Sequence, residues 1–139
     1  MSQNRIYLCL AHMSGNEQKF IQEAFDTNWV APLGPNVDAF EAELENYVGE
    51  NRKVVALTSG TAAIHLALVA CGVKAGDEVI TQSFTFCASA NPITYLGATP
   101  IFIDSECDTW NMDPQLPEEA IKDRIEKTGK TPKAIITVS

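Results

Sequence analysis

The sequence predicts an α/β protein with a mainly parallel sheet covered on both faces. Two observations carry this. From Lys53 onward, short apolar runs alternate with helix-length segments, as in successive βαβ units. The runs are also short and bounded by polar or turn residues, and their alternation with helices indicates a parallel sheet covered on both faces.

Each element has its own signal. Ser14-Gly15-Asn16-Glu17 has the S-x-x-E spacing of a capping box, and Phe20, Ile21, Ala24 and Phe25 recur behind it at helical spacing, predicting a helix over about 15–26. Thr27 to Pro35 carries two prolines and a glycine, which break the pattern. A second helix follows, with Val37, Phe40, Leu44, Tyr47 and Val48 on one side, and Gly49 closes it. The expected strands are Val54–Leu57, Glu78–Thr81, Pro100–Asp104 and Lys133–Val138. The expected helices between them span 60–72, about 86–97 and about 114–127, the last opened by Asp113 as N-cap and Pro114 at the first helical position. This divides the chain into an N-terminal helical segment, 1–50, and the first part of a larger α/β domain, 51–139. Thr137-Val138-Ser139 reads as the end of a buried strand with no layer after it, so the chain is expected to be the front part of a longer protein.

Composition narrows the function. In 139 residues, hydrophobic residues make up 45% and charged residues 20%, which is globular. The net charge of −8 argues against nucleic acid or an anionic membrane as main partner, since both require basic patches. Cys9, Cys71, Cys87 and Cys107 form no close pair, so no structural zinc is expected, and for the three in apolar surroundings a reduced, buried thiol is the simple reading. The N-terminus has one basic residue, a short apolar stretch and no good cleavage site; it reads as a mature cytoplasmic start. No window approaches the ~20 apolar residues of a membrane span.

Two stretches carry chemistry. In Val54–Leu68 a strand-like run enters Thr58-Ser59-Gly60-Thr61, and an alanine-rich helix begins at once. Gly60 lets a ligand approach the backbone. The N–H groups of Gly60, Thr61 and Ala62 would face an anion at the helix N-terminus, with the Thr61 hydroxyl as a further donor. The competing explanation is that Thr58 or Ser59 simply caps a core helix. Neither G-x-G-x-x-G nor G-x-x-x-x-G-K-[ST] is present, so neither a dinucleotide fold nor a P-loop is supported. The second stretch, Thr81–Asn91, follows the next strand. Ligands of open α/β sheets bind outside the carboxyl ends of the strands, so both loops are expected to converge on one crevice. An aromatic there would lie against a planar ligand, unless Phe84 and Phe86 are ordinary core residues.

The combination SGTAAIHLAL, GDEVITQSFTFCASANPITYLGATPIFID and DTWNMDP resembles the DegT/DnrJ/EryC1/StrS family of sugar aminotransferases, as does the N-terminal part from HMSG through TNWVAPLGP. The resemblance runs from about residue 5 to the end. It implies the three-layer αβα large domain of a fold type I pyridoxal-phosphate enzyme, a homodimer, a nucleotide-sugar substrate and an amino-acid amino donor, glutamate being usual. It matches Gly60, Thr61 and Ala62 to the family's phosphate-binding helix start and Phe86 to the aromatic that stacks on the cofactor ring. Asn28, Trp29, Val30 and Ala31 match a turn that contacts the nucleotide-sugar. The variants HMSG, APLG and SFTFCASANPITYLGATP stand nearest the branch that aminates C4 of a UDP-linked 4-keto-6-deoxy-N-acetyl hexose.

The family's cofactor-linked lysine lies in an S-F-x-x-x-K segment, and an acidic residue facing the pyridine nitrogen lies in a D-x-A segment; neither is found in these 139 residues. No catalytic residue is therefore assigned. The seven lysines, Lys19, Lys53, Lys74, Lys122, Lys127, Lys130 and Lys133, read as solvated. His65 reads as packed and His12 receives no role. Asp104, Asp108 and Asp113 lack the spacing of a calcium loop, so no metal is expected. A sugar 3-aminotransferase, a sugar dehydratase, a non-catalytic regulator on the same fold and a plain phosphate-binding α/β module remain open as alternatives.

Overall fold

The computed structural model describes residues 9, 11–49 and 51–138, so the reading of residues 1–8 as a mature start lies outside it. Two compact units divide between Ala56 and Leu57.

The first unit holds α1 (Glu17–Asp26) and α2 (Pro35–Val48). Half of the expected capping box forms at α1. Glu17 reaches back to accept from the Ser14 N–H at 2.6 Å and the Gly15 N–H at 2.9 Å. The Ser14 hydroxyl instead accepts from the Asn16 N–H at 3.2 Å, and Asn16 is the N-cap. At the other end Asn28 takes a left-handed φ of 59°, which asparagine tolerates better than most residues. The Asn28 and Trp29 N–H groups then return to Phe25 and Ala24, the two bonds of a Schellman cap. Gly49 caps α2 as expected, its N–H donating to Glu45.

The run Val54–Leu57 joins no sheet, contrary to expectation. The Val54 N–H donates to Glu45 at 3.2 Å and the Ala56 N–H to Glu41 at 2.7 Å. Carboxylates four apart on one helix face meet N–H groups two apart on extended backbone, and these occupy the donors that a ladder would use. Lys53 adds an ion pair to Glu45 at 3.0 Å. Together with the Val54 N–H, that ammonium holds the Glu45 carboxyl below the ordinary glutamate value of 4.5.

The second unit is α/β. It contains α3 (Gly60–Ala70), β1 (Glu78–Gln82), α4 (Asn91–Tyr95), β2 (Thr99–Ile103), α5 (Leu116–Thr128) and β3 (Ala134–Ile136). All pairing is parallel in the order β2-β1-β3, with Glu78 opposite Thr99 and Val79 opposite Ala134. The central strand is covered on both faces, since neighbours that point opposite ways, Val79, Ile80, Thr81 and Gln82, are all at most 1% exposed. Val79 packs with Leu68 of α3, Ile93 of α4, Val73 and Ala98. On α5, Arg124 grips Glu78 with two parallel bonds of 3.0 and 2.8 Å.

Prolines shorten two of the expected helices. A proline inside a helix lacks the N–H and clashes with the preceding turn, so it is admitted only in the first turn. Pro92 thus confines α4 to Asn91–Tyr95 and leaves 83–90 as turns, where a helix from 86 was expected. Pro117 starts α5 at Leu116, and Gln115 is its N-cap in place of Asp113. The Asp113 carboxylate accepts from the Gln115 N–H at 2.9 Å, a turn two residues long. The thiols also differ from expectation: all four cysteines are exposed and unpaired. Cys71 ends α3, while Cys87 and Cys107 sit in turns, so apolar neighbours in sequence do not cover them.

Candidate functional site

The N-terminus of α3 is built by Ser59. Its backbone is extended and its hydroxyl accepts from the Ala62 N–H at 3.2 Å, while its carbonyl accepts from Ala63 at 3.0 Å. The cap is therefore Ser59, and one of the three N–H groups singled out in the sequence already has a partner. Among the described residues, the N–H groups of Gly60 and Thr61 donate to no protein acceptor, as the first turn of a helix leaves them. A Cβ placed on Gly60 would meet nothing within 4 Å, so the approach is open. Thr61 is half-buried, and its hydroxyl makes no hydrogen bond to the described residues.

The second loop leaves the carboxyl end of the central strand. The Ser83 N–H continues the ladder to the Ile103 carbonyl at 2.8 Å, after which the chain turns through 85–91. Phe86 and Phe84 are 79% and 62% exposed, so neither is a core residue of this unit. Phe84 is engaged with Trp110, ring centroids 5.4 Å apart, while Phe86 is the more open of the two. Only this loop follows a strand of the sheet. The expected convergence of two strand ends is not built that way, because 54–57 is not a strand.

The sequence did not single out Gln82 or Trp110. Gln82 ends β1 almost wholly buried and reaches the Phe84 carbonyl at 2.9 Å; Trp110 holds a left-handed φ of 63°. The available signal was a glutamine directly after the expected strand Glu78–Thr81, where a buried amide must find partners. Beside Trp110, Glu106 organises its turn by accepting from Thr109, Asp108 and Asn111, bonds that lower its carboxyl, with the Thr109 hydroxyl the largest cause.

In the first unit, Asn28, Trp29, Val30 and Ala31 form the turn set by the Schellman cap of α1. Trp29 and Ala31 line a cleft of about 210 Å³ with Glu23, Leu33 and Val37. The Trp29 ring lies over Gly34, which has φ 133° and no room for a side chain: a Cβ there would stand 2.9 Å from Trp29 Cε3.

Several of the other polar residues have structural partners. His65 meets the Tyr95 ring edge-on at 5.7 Å, a packing role. Lys53, Lys122 and Lys127 pair with Glu45, Glu118 and Asp123. Asp104 accepts from the Ser105 N–H at 2.8 Å. Among the described residues, no group of three or more His, Cys, Asp or Glu is placed to hold a metal, and no helix is long and apolar enough to cross a membrane.

The second unit is thus a parallel α/β fold that, among the described residues, leaves two helix-start N–H groups without an acceptor and one aromatic ring open beyond its central strand. The sequence comparisons go further: the chain belongs to the DegT/DnrJ/EryC1/StrS aminotransferase family, whose profile matches residues 11–139. It is 55% identical over 135 residues to EpsN of Bacillus subtilis (strain 168), provisionally named a pyridoxal phosphate-dependent aminotransferase, covering 97% of this chain and 34% of EpsN. It is 42% identical over 109 residues to the GDP-perosamine synthase of Caulobacter vibrioides, covering 78% of this chain and 29% of that protein. The crystal structure of a DegT DnrJ EryC1 StrS aminotransferase from Brucella abortus superposes with a TM-score of 0.74 at 33% identity, covering 91% of this chain and 36% of that one. The chain thus spans about a third of the length of the relatives it matches.

Proposed function

We propose that the whole protein is a pyridoxal-phosphate-dependent nucleotide-sugar aminotransferase, cytoplasmic and homodimeric, that moves an amino group from an amino acid such as glutamate to a UDP-linked 4-keto-6-deoxy-N-acetyl hexose. The observation that carries this is the start of α3. Gly60 and Thr61 offer N–H groups without acceptors among the described residues, at a point where a Cβ on Gly60 would meet nothing within 4 Å, in a chain matched to the family over residues 11–139.

The residues present fit the cofactor. Gly60 and Thr61 would hold its phosphate through backbone N–H groups and the Thr61 hydroxyl, where the helix dipole favours negative charge. Ala62 would join them by exchanging Ser59 for a phosphate oxygen. The exposed face of Phe86 suits a planar ring. When bound, pyridoxal phosphate supplies the electron sink for amino transfer, and the protein supplies orientation and electrostatics. The turn of Asn28, Trp29, Val30 and Ala31 would contact the nucleotide-sugar, Trp29 offering a half-exposed ring beside the cleft.

The test separates binding from capping. Because Ser59 caps α3 and the Thr61 hydroxyl bonds to no described residue, Thr61→Val in the whole protein should leave the melting temperature nearly unchanged. Pyridoxal-phosphate affinity should fall about tenfold to a hundredfold, the worth of a hydrogen bond to a charged group. Ser59→Ala should show the opposite balance, losing about 1 kcal/mol of stability with its cap. Unchanged affinity in Thr61→Val would refute the assignment.

A further inference from the structure

We propose that Gln82 is a positioning residue, a latch at the carboxyl end of β1 that holds three chain segments together and thereby fixes the loop carrying Phe86. The proposal rests on the reading of Phe86 as the cofactor-facing aromatic.

The side-chain amide of Gln82 is 1% exposed, and each of its ends is used. Nε2 donates to the Phe84 carbonyl at 2.9 Å. Nε2 also donates over longer distances to the Trp110 carbonyl at 3.4 Å and the Ser105 hydroxyl at 3.5 Å, which with Phe84 makes three acceptors for two hydrogens. Oε1 accepts from the Val138 N–H at 3.3 Å. Phe84 belongs to the segment after β1, Ser105 and Trp110 to the segment after β2, and Val138 to the segment after β3. A single buried amide therefore joins the segments that leave all three strands of the sheet.

Two further observations show that these bonds hold something in place. Trp110 keeps a left-handed φ of 63°, uncommon for a bulky residue, so its segment needs outside contacts to stay there. The Phe84 ring also packs on Trp110, so the two segments share an aromatic contact as well as the polar contacts through Gln82. Phe86 lies two residues beyond the carbonyl that Gln82 grips, and its ring is 79% exposed. Packing within this unit does little to orient that ring, so the backbone must. The Phe86 carbonyl accepts from the Ser89 N–H at 3.0 Å, closing the turn that starts from the latched Phe84. Loss of the amide leaves the Phe84 carbonyl and Val138 N–H without their partner, and the turn loses its anchor.

The test uses the whole protein with Gln82→Met, which keeps the length and apolar stem of the side chain, and Gln82→Glu, which keeps its size and the acceptor toward Val138. Without cofactor, amide hydrogen exchange over 84–90 and 105–112 should rise at least about tenfold in either variant, while β1 stays protected. Pyridoxal-phosphate affinity in Gln82→Met should fall roughly three- to tenfold, the worth of an ordinary hydrogen bond. In a Phe86→Ala background the same substitution should cost almost nothing further, because Gln82 acts through that ring. Unchanged exchange in both variants overturns the latch. Raised exchange with fully additive affinity losses overturns the positioning role, leaving Gln82 a structural residue. If Phe86→Ala by itself retains the cofactor, the reading of the aromatic fails and the positioning role falls with it, whereas the exchange data still show whether the segments are latched.

Discussion

Gly34→Ala tests how the turn of Asn28–Ala31 is held. Gly34 precedes α2 with φ 133° and ψ −176°, a region that is essentially glycine-only and costs other residues about 1–3 kcal/mol. The added Cβ would also stand 2.9 Å from Cε3 and 3.1 Å from Cδ2 of Trp29, so the ring must move. That ring is 45% exposed and has solvent to swing into, so its displacement adds only lost apolar contact, about 1 kcal/mol. The expected destabilisation is about 2–4 kcal/mol. Thermal unfolding of Gly34→Ala, Trp29→Ala and the double variant separates the parts. Removing the indole should relieve the ring's share and leave the backbone's, giving a coupling of about 1 kcal/mol. If the proposed contact of this turn with a nucleotide-sugar holds, KM for that substrate should rise with the ring displaced. A Gly34→Ala protein of unchanged stability would refute the backbone argument, and strictly additive losses would refute the contact with Trp29.

Phe86→Ala should weaken pyridoxal-phosphate binding with little change in melting temperature, since the ring is exposed in this unit; aromatic contacts of this kind contribute about 0.5–1.5 kcal/mol beyond area burial, and titration of the cofactor checks it. Arg124→Met should lower the melting temperature by leaving Glu78 partly buried without its partner, and Glu78→Gln in the same protein should recover part of the loss. Acid should loosen Glu45, Glu17 and Glu106 together. Glu45 is lowered first by Lys53, Glu17 by its own N–H and that of Ser14, and Glu106 by Thr109. Carboxyls lowered by folding contribute stability above the ordinary value of 4.5 that is lost as pH falls below it. Melting temperature against pH should therefore drop on the acid side, and Glu45→Gln should drop less; a flat profile would contradict these bonds.

The sequence by itself determined what depends on near neighbours. Periodicity and breakers located α1, α2, α3 and α5, and the apolar runs located β1, β2 and β3, because helix bonds and burial patterns are written within a few residues. Motif resemblance singled out Gly60, Thr61, Ala62, Phe86 and the turn at Asn28 to Ala31. Tertiary structure decided the matters that involve distant partners. Val54–Leu57 has a strand's composition, yet Glu41 and Glu45 hold its N–H groups, and no local pattern announces a donor's competitor. Thr58 and Ser59 were equal candidates as cap until the backbone turned Ser59 toward Ala62. Phe84 and Phe86 look alike in sequence, but Trp110 engages only the first. Gln82 is one more polar residue at a strand end until Phe84, Trp110 and Val138 are seen around it, up to 56 residues away along the chain. Period-two alternation tells which face a side chain takes; which atoms wait there is fixed only when separate parts of the chain meet.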